Sequence, residues 1–444
     1  MDNEYSIKLR MEKISRSRLF MMNCFFFLAF IICIVLGCTI SPPIINSNEV
    51  LIHKCDKVHN DHCYSNITTH EVWQGKIPHV DHLNQILYMT ATPTSSSSMH
   101  FNMSMQILVL HKDKILVNNE RNTSIICTET KCNTVVIFYL PYLDYKEYDV
   151  IIKHRARVMS DGVEISLSYV NSMYTKYQLI TKYCFFVFSL ISFIQYLVFS
   201  LKVPLKMWSF EAKALLPLGA SLIIFNEPLL FAAIYFMSPL WSGISVFCNT
   251  QFIASLLIFW LVDLQHYRKS SYNIFYLIFG IILVAILFVL IFNGYLYVHE
   301  KLRYDPAYDW QHDLNHNYYE VFMGIIVLAG VLLLWILFLC CRALRQFSLL
   351  SAREIIMKKF NILVILFCFF GIGIGAFQPI PQNSSLLLIF VSGMNFYVIL
   401  LQFMYSPTTS SILEYVNEKN VEYSLVKSHE NDDFVDILDN SAEN

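Results

Sequence analysis

The side chains with most chemical potential in this sequence are polar groups set inside long apolar runs. Asn226-Glu227-Pro228 interrupts the run from 214 to 238. A carboxylate in hydrocarbon is expensive, so it is expected to face a bundle interior or a water-filled cavity, and it is a default candidate for ligand or ion handling. Pro228 lacks an N–H and frees a carbonyl, so a helix kink is expected beside the polar pair. Two uses fit Glu227: a ligand or proton site, or a kink whose freed groups a neighbouring helix satisfies. Asp263 and His266 end another run. There headgroups and water relieve most of the cost, and the two read as an interfacial pair with no special task. Asn395 and Gln402 lie in the last run, placed to hydrogen-bond across helices for about 1 kcal/mol each.

Outside the runs, His53, Cys55, His59, His62 and Cys63 cluster. Imidazole and thiolate suit zinc, but a Cys55–Cys63 disulfide with solvated histidines accounts for them more simply. The sequence has no nucleophile elbow, no His-Glu-x-x-His and no phosphate-cradling Gly-x-x-x-x-Gly-Lys. Gly371, Gly373 and Gly375 permit close helix approach and follow no strand, so they are not a nucleotide loop. His312 and His316 fall in a loop between spans. The expectation is a non-enzymatic chain with no cofactor and no metal.

These residues need elements that hold them in lipid. The chain has 444 residues, 55% hydrophobic and 15% charged, with mean hydropathy +0.47, more apolar surface than a soluble fold buries. Its net charge of -2 indicates no nucleic-acid partner. Eight runs are long enough to cross a bilayer: near 20–40, 181–203, 214–238, 244–265, 273–297, 320–341, 358–378 and 385–405. The first follows Lys8, Arg10, Lys13, Arg16 and Arg18. It is too long for a typical signal h-region and reads as an uncleaved anchor rather than a removable leader.

With the amino terminus cytosolic, basic residues collect on that side: Lys202, Lys206 and Lys213, then Arg268 and Lys269, then Arg342, Arg345, Arg353, Lys358 and Lys359. The opposite loops 239–243 and 379–384 carry no charge. The sequons at Asn66, Asn102, Asn122 and Asn383 all then fall on the lumenal or extracellular side.

The domain plan is a basic cytosolic start (1–19), a signal-anchor helix (20–40), a lumenal domain (41–178), a seven-helix unit (179–405) and a cytosolic tail (406–444). Short alternating runs at 85–90, 105–110, 134–140, 148–154 and 163–170 predict an antiparallel β-sandwich without a long helix. Pro93-Thr-Ser-Ser, Asn118-Asn119 and Ser160-Asp-Gly162 are expected to be its turns. The domain holds Cys55, Cys63, Cys127 and Cys132 in an oxidising compartment. Of three connectivities, the local pairs Cys55–Cys63 and Cys127–Cys132 are expected. The acidic tail reads as disordered, and Tyr423-Ser-Leu-Val426 has the form of a sorting signal for coat adaptors.

Several motifs carry a resemblance. Trp208-Ser-Phe-Glu211, Leu215-Leu-Pro-Leu218, Phe225-Asn-Glu-Pro228, Leu257-Ile-Phe-Trp-Leu261, Tyr304-Asp-Pro-Ala-Tyr308, Met394-Asn-Phe-Tyr397 and Tyr405-Ser-Pro407, with the stretch Cys127 to Cys132 and Tyr142 to Tyr148 before them, resemble the transmembrane protein 181 family, relatives of the Wntless carriers. The resemblance runs from about Cys127 to the tail and excludes the histidine cluster. It implies a GOLD-like sandwich joined to a seven-helix Wntless-like domain. Wntless relatives carry lipid-modified ligands from the Golgi to the surface. Here Glu227 stands where that family tends to have aspartate.

The expected function is a membrane receptor or cargo carrier, in Golgi or endosomal and plasma membranes. It would engage a lumenal protein or lipidated ligand and membrane lipid, with Asn226, Glu227, Pro228 and Asn395 lining a cavity. A G-protein-coupled-like receptor is the alternative, although the helix ends lack Asp-Arg-Tyr and Asn-Pro-x-x-Tyr. A transporter using Glu227 is a further one, although no inverted repeat is visible.

Overall fold

The computed structural model describes residues 9–49, 53–54, 71–77, 80–94, 98–112, 114–128, 131–140, 143, 145–155, 162–236, 239–265, 272–304, 319–345, 347, 351–377, 385–408 and 413. Cys55, Cys63, Asn66, His59, His62, His266, His312, His316, Asn383, Tyr423 and Val426 lie outside these residues.

Between the first long helix and the second, the chain folds into two antiparallel sheets. One has strand order β1 (Ile45–Glu49), β10 (Gly162–Val170), β4 (Leu87–Thr94), β8 (Val135–Leu140). The other runs β2 (His53–Lys54), β3 (Glu71–Ile77), β9 (Tyr148–Arg155), β5 (Met99–His111), β6 (Lys114–Thr128), β7 (Lys131–Cys132). The period of two explains the packing. Met105, Ile107 and Val109 of β5 point inward beside Val150 and Ile152 of β9, and meet Leu87, Met89, Ile137 and Ile165 in one core. This is the expected sandwich, and among the described residues its helical content is a single short turn, His82–Asn84.

The expected turns are displaced: Pro93 and Thr94 are still strand, paired with Val163 and Gly162, and a third expected turn fails outright. Asn118-Asn119 is not a turn: Asn118 pairs with Leu108 and Asn119 with Ile107, deep in the β5–β6 hairpin. The chain reverses instead around Lys112, whose φ of 44° is in the left-handed region. Val117 and Ile125 are buried while Asn118 is exposed, so the alternation of β6 overrides the local turn preference of Asn-Asn.

The rest is helical. A short turn, α1 (Arg10–Lys13), precedes α2 (Arg16–Ile40), and after the sandwich come α3 (Ser172–Ser200), α4 (Phe210–Phe225), α5 (Leu230–Phe236), α6 (Pro239–Gln265), α7 (Tyr272–Tyr304), α8 (Tyr319–Arg345), α9 (Ala352–Phe377) and α10 (Ser385–Met404). Among the described residues seven spans, α2 included, are long and apolar enough to cross a membrane. The expected span at 358–378 falls on the 26-residue α9, which is not one of these seven and is about 39 Å long at 1.5 Å per residue. Leu218, Leu222, Phe252, Phe259, Ile336, Ile365 and Val398 meet in a single core.

The first helix is part of this bundle. Leu19 and Phe26 of α2 are buried in the shared core, and α2 lies against α10. Two glycines set their approach. A Cβ on Gly393 would sit 2.6 Å from the Phe30 ring, and one on Gly37 3.3 Å from the carbonyl oxygen of Ser385. Toward the other end the segments just before α1 and just after α10 meet. Leu9 bridges Pro407, the Arg10 amide donates to the Ser406 carbonyl at 3.0 Å, and the Arg10 guanidinium lies 4.7 Å from the rings of both Phe199 and Phe403.

Candidate functional site

Two buried polar centres occupy the bundle, one near the sandwich and one near the opposite end. The first is built on a helix break. Pro228 cannot donate a backbone hydrogen bond, and α4 stops at Phe225 with α5 resuming at Leu230. Between them Glu227 takes φ 46°, a conformation that disfavours side chains larger than glycine and is held only where the surroundings impose it. The sequence predicted a kink; the chain makes a full interruption.

Those surroundings are polar. Glu227 Oε2 pairs with Lys182 Nζ of α3 at 2.7 Å, the two side chains 7% and 6% exposed. Its Oε1 accepts from Ser245 Oγ and Asn249 Nδ2 of α6, each at 2.7 Å. Asn226 and Asn395 exchange amide bonds at 2.8 and 2.9 Å, and Asn226 Nδ2 also donates to Ser189 Oγ at 3.1 Å. Tyr183 donates its hydroxyl proton to the Pro228 carbonyl at 3.2 Å. The expected residues Asn226, Glu227, Pro228 and Asn395 thus gather at one place. Lys182, Ser189, Ser245 and Asn249, absent from the sequence reading, complete it. Gln402 lies one helical stretch away, accepting from Ser192 Oγ at 2.6 Å.

The second centre corrects the expectation that headgroups and water relieve the cost of Asp263. Asp263 is fully buried. Its Oδ1 pairs with Lys358 Nζ of α9 at 2.6 Å and accepts from the Tyr405 hydroxyl at 3.1 Å. Its Oδ2 accepts from Asn361 Nδ2 at 3.0 Å, and Lys358 Nζ also contacts the Asp263 carbonyl oxygen. Trp260 Nε1 donates to the Tyr397 oxygen at 3.1 Å, and Tyr397 donates to Asn361 Oδ1 at 3.2 Å. Buried two residues from the end of α6 at Gln265, the carboxylate needs a full set of partners, because an unpaired buried charge is far costlier than a paired one.

Helix α10 touches both centres: Asn395 reaches the first, and Tyr397 with the following Tyr405 reaches the second. The sandwich is seated on helices that carry the first. Thr175 Oγ1 of α3 donates to the Leu83 carbonyl at 2.6 Å and accepts from Gln85 Nε2 at 3.2 Å. The His82 ring lies 6.4 Å from that of Tyr235 on α5, the helix that hangs from the Glu227 break.

In the sandwich, Cys127 and Cys132 form a disulfide closing a short hairpin. Asn102 and Asn122 are both exposed, and Asn102 pairs with Ser124 while Asn122 pairs with Ser104. Cross-strand partners share a face, so both sequons look outward from one hairpin. Among the described residues no group of three or more histidines, cysteines or carboxylates is placed to hold a metal ion.

A sandwich seated on a long-helix bundle with charge pairs buried in it defines a multi-pass membrane protein. The model of the Wntless-like transmembrane domain matches residues 171–409, and the chain belongs to that family. It is also similar to human transmembrane protein 181, at 24% identity over 339 residues, 71% of this chain and 70% of that protein.

Proposed function

We propose that this protein is a receptor or carrier that engages a lumenal or extracellular protein or lipidated ligand through its sandwich and transmits that engagement to the bundle at Glu227. The observation that carries the reading is the seating of the sandwich. Residues 82–85 rest on Thr175 of α3 and beside Tyr235 of α5, and α3 and the α4–α5 break are joined by the Lys182–Glu227 pair. A load on the sandwich therefore bears on two helices joined by that ion pair and by the hydrogen bonds of Ser189 and Tyr183 to the break. A strained, over-determined backbone beside buried charges is a common setting for a functional switch. Asn226, Pro228 and Asn395 hold the break, and Asn102 and Asn122 carry glycans on the outward face. The Tyr423-Ser-Leu-Val426 signal recruits coat adaptors that cycle the protein between Golgi or endosomal membranes and the cell surface. The reading assigns the chain no catalytic step.

The test uses the full-length protein in cells. A membrane-impermeant crosslinker captures lumenal and surface partners of the wild type and of Glu227→Ala, with fluorescence size-exclusion profiles controlling for folding. Loss of partners from a folded, correctly delivered variant supports the coupled reading. The same partners at the same yield would reduce the bundle to an anchor for the sandwich.

A further inference from the structure

The α2–α10 seam is tight near the sandwich and carries a lateral groove farther along. Near the sandwich, Gly37 and Gly393 let the helices touch. Farther from the sandwich, a cavity of about 570 Å³ lies along both helices, open to the side of the bundle. Its walls are Met22, Phe25 and Ala29 of α2 and Phe396 and Phe403 of α10, with Arg18 at its outer end. All but Arg18 are apolar. Arg18 is exposed, and among the described residues no carboxylate pairs with it.

Depth and charge together select the occupant. From Arg18 to Ala29 the helix rises about 16 Å at 1.5 Å per residue, roughly half of the ~30 Å hydrocarbon thickness, which is the depth of one leaflet. The end at which Arg18 stands also carries Arg16, Lys202, Lys206, Arg342, Arg345 and Lys359, so by the positive-inside rule it is cytosolic, and the cytosolic leaflet is the anionic one. A groove one leaflet deep, apolar along its walls and cationic at headgroup level, complements a single kind of molecule. We propose that it binds a glycerophospholipid with an anionic headgroup drawn from the cytosolic leaflet, its acyl chain between α2 and α10 and its headgroup on Arg18. This site is separate from the Glu227 centre, which lies toward the opposite leaflet.

The test reconstitutes the full-length protein in phosphatidylcholine vesicles carrying a trace of phosphatidylserine or phosphatidylcholine with a diazirine on the acyl chain. Labelled peptides are mapped by mass spectrometry. The expected result is labelling within 21–29 and 396–403, stronger for phosphatidylserine by about fivefold, the factor that about 1 kcal/mol per arginine at an anionic surface implies. Arg18→Gln removes the preference while leaving the phosphatidylcholine signal, and Arg18→Lys restores it. Ala29→Phe and Met22→Trp, which fill the groove at two depths, each abolish labelling by both probes. Equal labelling of the two lipids by the wild type, labelling indifferent to both filling variants, or crosslinks joining two copies through the groove would each overturn the proposal.

Discussion

Replacing Glu227 by Gln leaves the side chain the same size and keeps an oxygen for Ser245 and Asn249 to donate to. What changes is the atom facing Lys182: an amide donor replaces an anionic acceptor 2.7 Å from the ammonium. Lys182, 6% exposed, is then a buried charge without its counter-ion, a situation that costs about 3–5 kcal/mol. At about 2–4 °C per kcal/mol for a unit of 150–250 residues, Glu227→Gln should lower Tm by roughly 6–20 °C. The pairing makes a sharper claim than the size of the loss. Lys182→Met on its own strips the carboxylate of its cation but leaves the Ser245 and Asn249 donors, so it should cost less. The double variant Lys182→Met with Glu227→Gln buries no charge and should recover most of the loss, giving a coupling energy at the upper end of about 0.5–3 kcal/mol. Thermal unfolding of purified protein in mild detergent, followed by intrinsic fluorescence, supplies all four corners of the cycle. A double variant whose loss equals the sum of the singles, or a Glu227→Gln protein within about 1 kcal/mol of wild type, would refute the ion pair as the element that fixes α3 against the break.

The second centre makes a parallel claim: Asp263→Asn strands Lys358 and should cost about 3–5 kcal/mol, read by the same melt, while conversion of both residues to neutral ones recovers much of it. Between α2 and α10, Gly393→Leu would push its side chain into Phe30 and should destabilise by about 1–3 kcal/mol, with a matching fall in crosslinking between cysteines introduced at the seam. Opening the Cys127–Cys132 bridge with paired alanines should remove about 2 kcal/mol, the loop-closure value for so short a ring, seen as selective loss of the sandwich in limited proteolysis. On the surface, Lys76 is held above its ordinary pKa of 10.5 by its hydrogen bond and charge contact with Glu147. A raised lysine pKa adds stability that is present below 10.5 and is lost as pH rises through the folded value. Glu147→Gln should therefore return the Lys76 titration toward 10.5, measured on ¹³C-labelled lysine, with Tm at neutral pH almost unchanged because both groups are exposed.

The elements were legible wherever local pattern decides structure. Apolar runs located the helices, and alternation located β5, β8, β9 and β10. The Asn226-Glu227-Pro228 signal marked the break because proline chemistry is local. The misreadings share a cause. Asn118-Asn119 resembles a turn until β6 finds its partners on β5, and Asp263 resembles a solvated end residue until Lys358, 95 positions away, reaches it. Lys358 itself looked like one more cytosolic charge among Arg353 and Lys359. Lys182 drew no notice near the start of its span, although a cation there is informative once a carboxylate is known to need one. Partners of buried charges are set by helix packing, which a single sequence does not display.

The seam between α2 and α10 also fixes a timetable. Phe26 and Phe396 line the same groove but leave the ribosome about 370 residues apart, an interval of roughly 20–75 s at 5–20 residues per second. For most of it, until Phe360 and Phe367 of α9 are made, the first helix is in the bilayer with Phe26 and Phe30 uncovered, and the Gly393 notch that receives Phe30 does not yet exist. The last helix is thus the closing piece of assembly. Truncation before Ser385 should leave a chain whose first helix keeps only its ring contacts with Phe360 and Phe367 of α9, a substrate for membrane quality control rather than a partly working protein.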